Sequence, residues 1–465
     1  MDLGILSLVP AAVAIILAFV TRNTVFSLAV ACFIGVLIAG QGLLGFPNLL
    51  KDALGTTSFS WIFLLELFIG VLIAFFQRTG AIQQFTLIME RKNLSRVKTQ
   101  LVSWFLGMFV FFSDYFSPLF VGSTMRNLSD KAKISREKLS YIADSTSAPV
   151  SVMVPITGWA VYISGLLVGM GAITSPDMAM GVFVQSIPFN FYALLSVLFV
   201  GLIAMKVIPD FGPMKKAEER AMKEGKVLRD GAEPLMGEEL TETPPYEGIK
   251  PNVFLNFFLP VLIVISIAVG TFIVLDSAKT MEAFLMASVI LGVIMRIQGI
   301  PFNDIMKTAT AGMKGVLPAI IILAFAYALN KLTEDIGTAD YIVSVSENWL
   351  TPSLLPVITF IIASIIAFAT GSSWGTFAIV MPLAVPLVFN YTGDEVTTLV
   401  LATIAAVGGG GVFGDHCSPL SDTTVLASTG AASDHMDHVK TQIPYALTVA
   451  AIACVFYLIV GMVFV

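Results

Sequence analysis

Four short segments of this 465-residue chain bring carboxylates and hydroxyls together in quick succession: "SDYFSP" at 113–118, "DSTSAP" at 144–149, "TGSSWG" at 370–375 and "GDHCSPLSDTT" at 414–424. They supply Asp114 and Ser117; Asp144, Ser145, Thr146 and Ser147; Ser372 and Ser373; and Asp415, His416, Ser418, Asp422 and Thr423. Oxygen donors of this kind suit a hard cation, whereas a zinc or copper centre would want clustered His and Cys. Sodium is therefore the expected ion, with Asp144 and Asp415 as its carboxylate ligands. Protons are the natural competitor, because a carboxylate taken out of water binds a proton more readily until a cation displaces it. His416 could add a group that titrates near neutral pH.

The segments lie in an unusual chain. It is 56% hydrophobic and only 12% charged, which excludes an ordinary soluble globule and places the protein in the lipid bilayer. Runs such as "ILSLVPAAVAIILAFV", "TVFSLAVACFIGVLIAG" and "FLPVLIVISIAVGTFIVL" approach the ~20 residues a helix needs to cross a bilayer. They do not alternate as barrel strands would, so the fold expected is all-α and polytopic. Because no cation precedes Arg22, residues 5–20 are expected to stay as a helix, not to be cleaved as a leader. Cys32, Cys417 and Cys454 are scattered and imply no disulfide framework. The cations lie in loops without interleaved aromatics, which argues against nucleic acid as a partner.

Residues 206–250 form the one long hydrophilic stretch and read as a solvated cytoplasmic linker with a short charged helix. It separates two apolar halves, 1–205 and 251–465, which share an order of features. Gly80 precedes Asp114 by 34 residues, as Gly337 precedes Gly371; "ADSTSAPVS" then corresponds to "GDHCSPLS". Residues 91–138 hold nine Lys or Arg and residues 332–439 none, so the positive-inside rule gives the halves opposite orientations. Two inverted repeats are expected, each with three spanning helices, a re-entrant hairpin, a broken helix and a final span, with the N-terminus outside.

Irregular backbone at membrane depth survives only when buried in protein or lining an aqueous cavity. Four such segments in inverted halves are the pattern of a secondary transporter, in which broken helices meet near the midplane around an ion or solute. On this reading the glycines of "GGGGVFG" loosen the backbone and the polar residues bind. A passive channel fits closed acidic tips less well. "GGGGVFG" lacks the strand and the βαβ unit that a dinucleotide loop needs, and His416–Cys417 lacks a third orienting group, so an enzyme is not expected. His435 and His438 of "SDHMDH" read as a polar loop at a cytoplasmic helix end. Glu66, within an apolar run, must be paired, protonated or turned into the bundle, either as a functional proton site or, at least as readily, in an interhelical hydrogen bond.

The long strings "FFSDYFSPLFVGSTMRNLSDKAKISREKLSYIADSTSAPVSVMVPI", "GSSWGTFAIVMPLAVPL" and "GDHCSPLSDTTVLAS" resemble the NhaC-type sodium/proton antiporter family of the ion-transporter superfamily. The resemblance implies a secondary active transporter of the bacterial inner membrane, with paired hairpins and a homodimeric assembly. It supports Asp114, Asp144, Ser147, Ser372, Asp415, Ser418, Asp422 and Thr423 as site positions. Similar proteins include carriers of small organic acids and amino acids, so a small carboxylate or amino acid coupled to sodium or protons is the alternative cargo, with Arg126 a conceivable anion partner. No cofactor is expected beyond the sodium ion and the proton.

Overall fold

The computed structural model describes residues 3–21, 23–90, 94–111, 113–155, 157–235, 244–275, 279–338, 341, 344–345, 351–393 and 395–464, without the side chains of residues 19, 58, 86, 89 and 90. Helices dominate it. The first half contributes α1 (Val9–Thr21), α2 (Thr24–Ile38), α3 (Gly45–Leu54), α4 (Thr57–Arg78), α5 (Ala81–Glu90), α6 (Arg96–Phe109), α7 (Phe116–Lys131), α8 (Arg136–Ser145), the four-residue α9 (Ala148–Ser151), α10 (Gly158–Leu167), α11 (Pro176–Ser186) and α12 (Phe191–Ala204). After α13 (Gly212–Glu224) come α14 (Leu259–Leu275), α15 (Thr280–Ile297), α16 (Phe302–Gly315), α17 (Leu317–Asp335), α18 (Leu355–Thr370), α19 (Ser373–Thr392), α20 (Thr398–Asp415), α21 (Asp422–Ala431) and α22 (His435–Val463). Among the described residues the sole β interaction is a bridge between Pro234 and Asp434.

Among the described residues eight helices are long and apolar enough to cross a membrane, or nine if α11 and α12, bent by 47° to one another, count as one span. The protein is thus a multi-pass membrane protein. The first apolar run is helical as expected, a 3-10 segment (Gly4–Leu8) leading directly into the 13 residues of α1, whereas α2 has only 15 residues. At ~1.5 Å per residue α2 by itself does not reach across a ~30 Å core. Asn23 ends the run between them, its side chain accepting a hydrogen bond from Phe26 N at 2.9 Å.

All four polar segments interrupt helices where the sequence placed them. Residues 110–115 separate α6 from α7, and Gly371, at φ +71°, turns α18 into α19. A Cβ at Gly371 would lie 2.7 Å from the Leu420 backbone, so glycine serves there both for its left-handed conformation and for the close approach. The other two interruptions follow α8 at residues 146–147 and α20 at residues 416–421.

The glycine run, by contrast, does not loosen the backbone. Gly408–Gly411 lie inside the continuous, buried helix α20. A Cβ at Gly410 would stand 2.5 Å from Phe360 O, and one at Gly414 2.3 Å from Phe368 N. Glycine here lets α20 seat directly against the backbone of α18, as small residues do where membrane helices pack closely. One apolar core accordingly joins α10 and α12 of the first half to α18, α19, α20 and α22 of the second; another surrounds α4, α7, α14 and α15.

The hydrophilic middle segment is also more structured than a solvated linker. Its helix α13 buries Glu218, which pairs with Arg96 and accepts a hydrogen bond from Ser135 N at 2.8 Å. Arg220 pairs with the buried Glu137 at 2.8 Å, Lys138 with Asp210, and Arg229 with Asp437 at 2.7 Å. The segment clamps the first turns of α8 and α22. Hydrogen bonding to Asp437 holds the Arg229 guanidinium above its ordinary pKa.

Candidate functional site

Each interrupted helix delivers its functional side chain from a helix end, where backbone groups lack intrahelical partners. Helices α8 and α20 both terminate at the candidate carboxylates, and their ends meet. Ser145 Oγ lies 3.0 Å from His416 Nε2, and the Gln442 amide donates to His416 O while also reaching Asp144 Oδ2 at 2.9 Å. Two helix C-termini, each equivalent to roughly half a negative charge, therefore converge beside Asp144 and Asp415.

Asp415 is caged by hydroxyls. Ser373 Oγ donates to Oδ2 at 2.5 Å, Ser421 Oγ donates to Oδ1, and Thr423 Oγ1 lies 3.3 Å from Oδ1. Thr424 Oγ1 donates to the Asp415 carbonyl at 3.1 Å. Three of these four residues come from the 416–424 turn and the start of α21, the fourth from the tip of the α18–α19 hairpin. A hydroxyl that donates to a carboxylate can rotate and offer a lone pair instead, so the same atoms can ligate a cation. The residues present fit sodium.

Asp144 has different company. His438 Nε2 donates to Oδ2 at 3.1 Å alongside the Gln442 amide, while Oδ1 has no hydrogen-bond partner among the described residues. Asp144 and His438 are both completely buried. His416 is fixed by Tyr192, whose Oη is 3.0 Å from Nδ1.

Above these groups lies a cavity of about 820 Å³. Asp114 from the α6–α7 tip, Ser372 from the α18–α19 tip and Asp422 at the start of α21 line it, so both hairpin tips reach one space. Aromatic walls include Trp61, Tyr115, Trp159, Tyr162, Tyr327 and Trp374; Thr56, Thr280, Lys331 and Glu334 also line it. Arg126 is buried on α7 and is not part of this lining.

The sequence-predicted residues thus divide. Asp415, Ser373 and Thr423 share one cage; Asp144, Ser145 and His416 meet at the junction; Asp114, Ser372 and Asp422 face the cavity. Ser117, Thr146, Ser147 and Ser418 instead donate to the carbonyls of Gly107, Ile142, Asp144 and Phe368, and hold the irregular backbone in place. His438 and Gln442 were missed. "SDHMDH" is no loop: His435 opens α22, and both its histidines are buried with separate partners, His435 between Ser428 and the Pro419 carbonyl. The i, i+3 and i+7 spacing of His435, His438 and Gln442 along one helical stripe was the signal that could have found them. Glu66 is fully buried on α4, and neither carboxylate oxygen has a hydrogen-bond partner among the described residues, so the expected interhelical bond is not seen.

Among known proteins, the Na+/H+ antiporter family matches residues 159–462. An uncharacterized protein of Haemophilus influenzae is 33% identical over 98% of this chain and 90% of its own length. The malate-2H+/Na+-lactate antiporter of Bacillus subtilis is 29% identical over 44% of each chain. The arginine/ornithine antiporter ArcD of Halobacterium salinarum is 30% identical over 48% of this chain and 45% of its own. The chain spans less than half the length of these two antiporters.

Proposed function

This chain belongs to the Na+/H+ antiporter family and is a secondary transporter, and we propose that it exchanges sodium for protons by alternating access. The observation that carries the reading is the meeting of the α8 and α20 C-termini beside Asp144 and Asp415. Helix carbonyl ends and carboxylates together favour a small cation, and the Asp415 hydroxyls can complete its shell. Four aspartates at this depth cost roughly 2.5–3.5 kcal/mol each when ionised without a partner, so they hold cations or protons. Occupancy by one or the other, with only loaded states changing sides, is sufficient for exchange.

The lining residues Thr57 and Thr280 open α4 and α15, at the ends opposite Arg78 and Arg296. By the positive-inside rule those ends are external, so on this reading the cavity faces outward, in a carrier that works as a homodimer in the cytoplasmic membrane. The two halves move as inverted repeats. The test is internal pH in proteoliposomes after external sodium is added with no organic solute: sodium-dependent alkalinisation or acidification opposite in sign to the sodium flux is expected, and no pH response counts against exchange.

A second reading, coupled transport of an organic acid or amino acid, is favoured by one observation. A cavity of about 820 Å³ falls within the ~300–1,000 Å³ of small-molecule sites and far exceeds what an ion requires.

A further inference from the structure

The walls of this cavity discriminate among organic solutes. We propose that it binds an organic ammonium of amino-acid size, with the charged nitrogen between Asp114 and Asp422 and the carbon chain against Trp159, Tyr162 and Trp374. The inference rests on the organic-solute reading of the site.

Asp114 is only 6% exposed and faces the cavity; the Trp159 indole and the backbone N–H groups of Asp114 and Tyr115 are directed at its carboxylate, but Oδ2 closes no hydrogen bond of standard length among the described residues. A buried orphan acceptor asks for a donor, and a carboxylate asks for a charged one. Asp422 satisfies one oxygen with Thr423 N at 2.8 Å and is itself partly exposed on the cavity wall. The ionisable lining residues are Asp114, Asp422 and Glu334 against the single cation Lys331. Lys331 is already engaged, 2.6 Å from Asp335 and 3.9 Å from Glu334. A dicarboxylate entering here meets surplus negative charge and no unengaged cation among the lining residues.

The aromatic wall points the same way. Tyr162 and Trp374 pack with ring centroids 4.5 Å apart, and Trp159 and Trp374 with centroids 5.4 Å apart. Tyr162 Oη donates to the Trp374 carbonyl at 3.2 Å, which joins α10 to the α18–α19 hairpin tip. Ring faces attract ammonium and guanidinium groups, and they cover methylenes at the same time. A hydrated sodium ion uses neither property.

Three of the five tryptophans, Trp61, Trp159 and Trp374, line the cavity, so intrinsic fluorescence of the purified full-length protein reports its occupancy. The probes are 1,5-diaminopentane, lysine and succinate. Saturable change with lysine or the diamine, and none with succinate, is expected; binding of both amines shows that the ammonium suffices, and binding of lysine alone that a carboxylate adds to it. Asp114→Asn and Asp422→Asn should each weaken amine binding about tenfold or more. Trp374→Leu should weaken it about threefold to thirtyfold, which keeps the test decisive if an aspartate variant fails to fold. Succinate binding without amine binding, or amine binding indifferent to all three substitutions, would overturn the proposal. Sodium-driven pH change in proteoliposomes with no amine bound overturns it too but leaves sodium/proton exchange standing; neither amine binding nor exchange removes both.

Discussion

Asp415 ends α20 in the second half and Asp144 lies one residue from the end of α8 in the first, yet their surroundings are unlike. Hydroxyls from Ser373, Ser421 and Thr423 satisfy both oxygens of Asp415. Nitrogen donors from His438 and Gln442 serve one oxygen of Asp144, and the other has no partner among the described residues. Hydroxyls can invert from donor to ligand with little movement; an imidazole beside a carboxylate can instead share a proton. Under the proposed exchange this difference would divide the labour within one junction, sodium on the Asp415 side and the proton on the Asp144 side, in place of the expected ligation of sodium by both carboxylates.

The largest effect should come from the carboxylates. Asp415→Asn should lower sodium binding about 100-fold or more, read by sodium-dependent thermal stabilisation, because it leaves the converging helix ends uncompensated. Asp144→Asn should abolish pH-coupled flux yet keep sodium binding within about threefold, a change smaller than the ~1 kcal/mol of an ordinary hydrogen bond. Equal loss of sodium binding in both variants would show that the two carboxylates form a single site.

Packing tests which side tolerates strain. A Cβ at Gly414 would meet Phe368 N at 2.3 Å, whereas one at Gly107 would meet the Thr146 side chain at 1.9 Å. Backbone cannot turn aside as a hydroxyl-bearing side chain can, so Gly414→Ala should destabilise by about 1–3 kcal/mol and Gly107→Ala by less. Thermal unfolding of the detergent-solubilised protein checks the order, and the reverse ranking would mean that the Asp144 side is the more rigid.

Smaller effects sharpen the assignment of ligands. Ser373→Ala should raise the sodium KM about tenfold, in keeping with a hydrogen bond to a charged group. Thr423→Val, which removes the longer contact, should raise it about threefold or less on the same scale. His438→Gln should leave the sodium KM nearly unchanged while flattening the dependence of exchange on pH, because the imidazole that contacts the Asp144 carboxylate is gone. A steep pH profile retained in that variant would move the proton away from His438.

Much of this was legible in the residues. Apolar runs long enough to span, and four polar interruptions that could not survive against lipid, announce a carrier with broken helices. Asp415, Ser373 and Thr423 were readable as partners in kind, although 42 residues separate Ser373 from Asp415. His438 was not readable with Asp144, because the two lie 294 positions apart and the histidine resembles a loop residue in its local context. "GGGG" misled for a related reason. Glycine loosens a chain when the surroundings are open, but beside Phe360 and Phe368 it serves contact between helices.

The sequence by itself determined the medium, the helices and the places where they break, because hydropathy and backbone hydrogen bonding are local properties. Only the tertiary structure decided which helix ends meet, which hydroxyls turn to carbonyls and which to Asp415, and that two distant hairpin tips border one cavity. Those outcomes depend on the close approach of surfaces from both halves, and steric fit between segments hundreds of residues apart leaves no local signature in either segment.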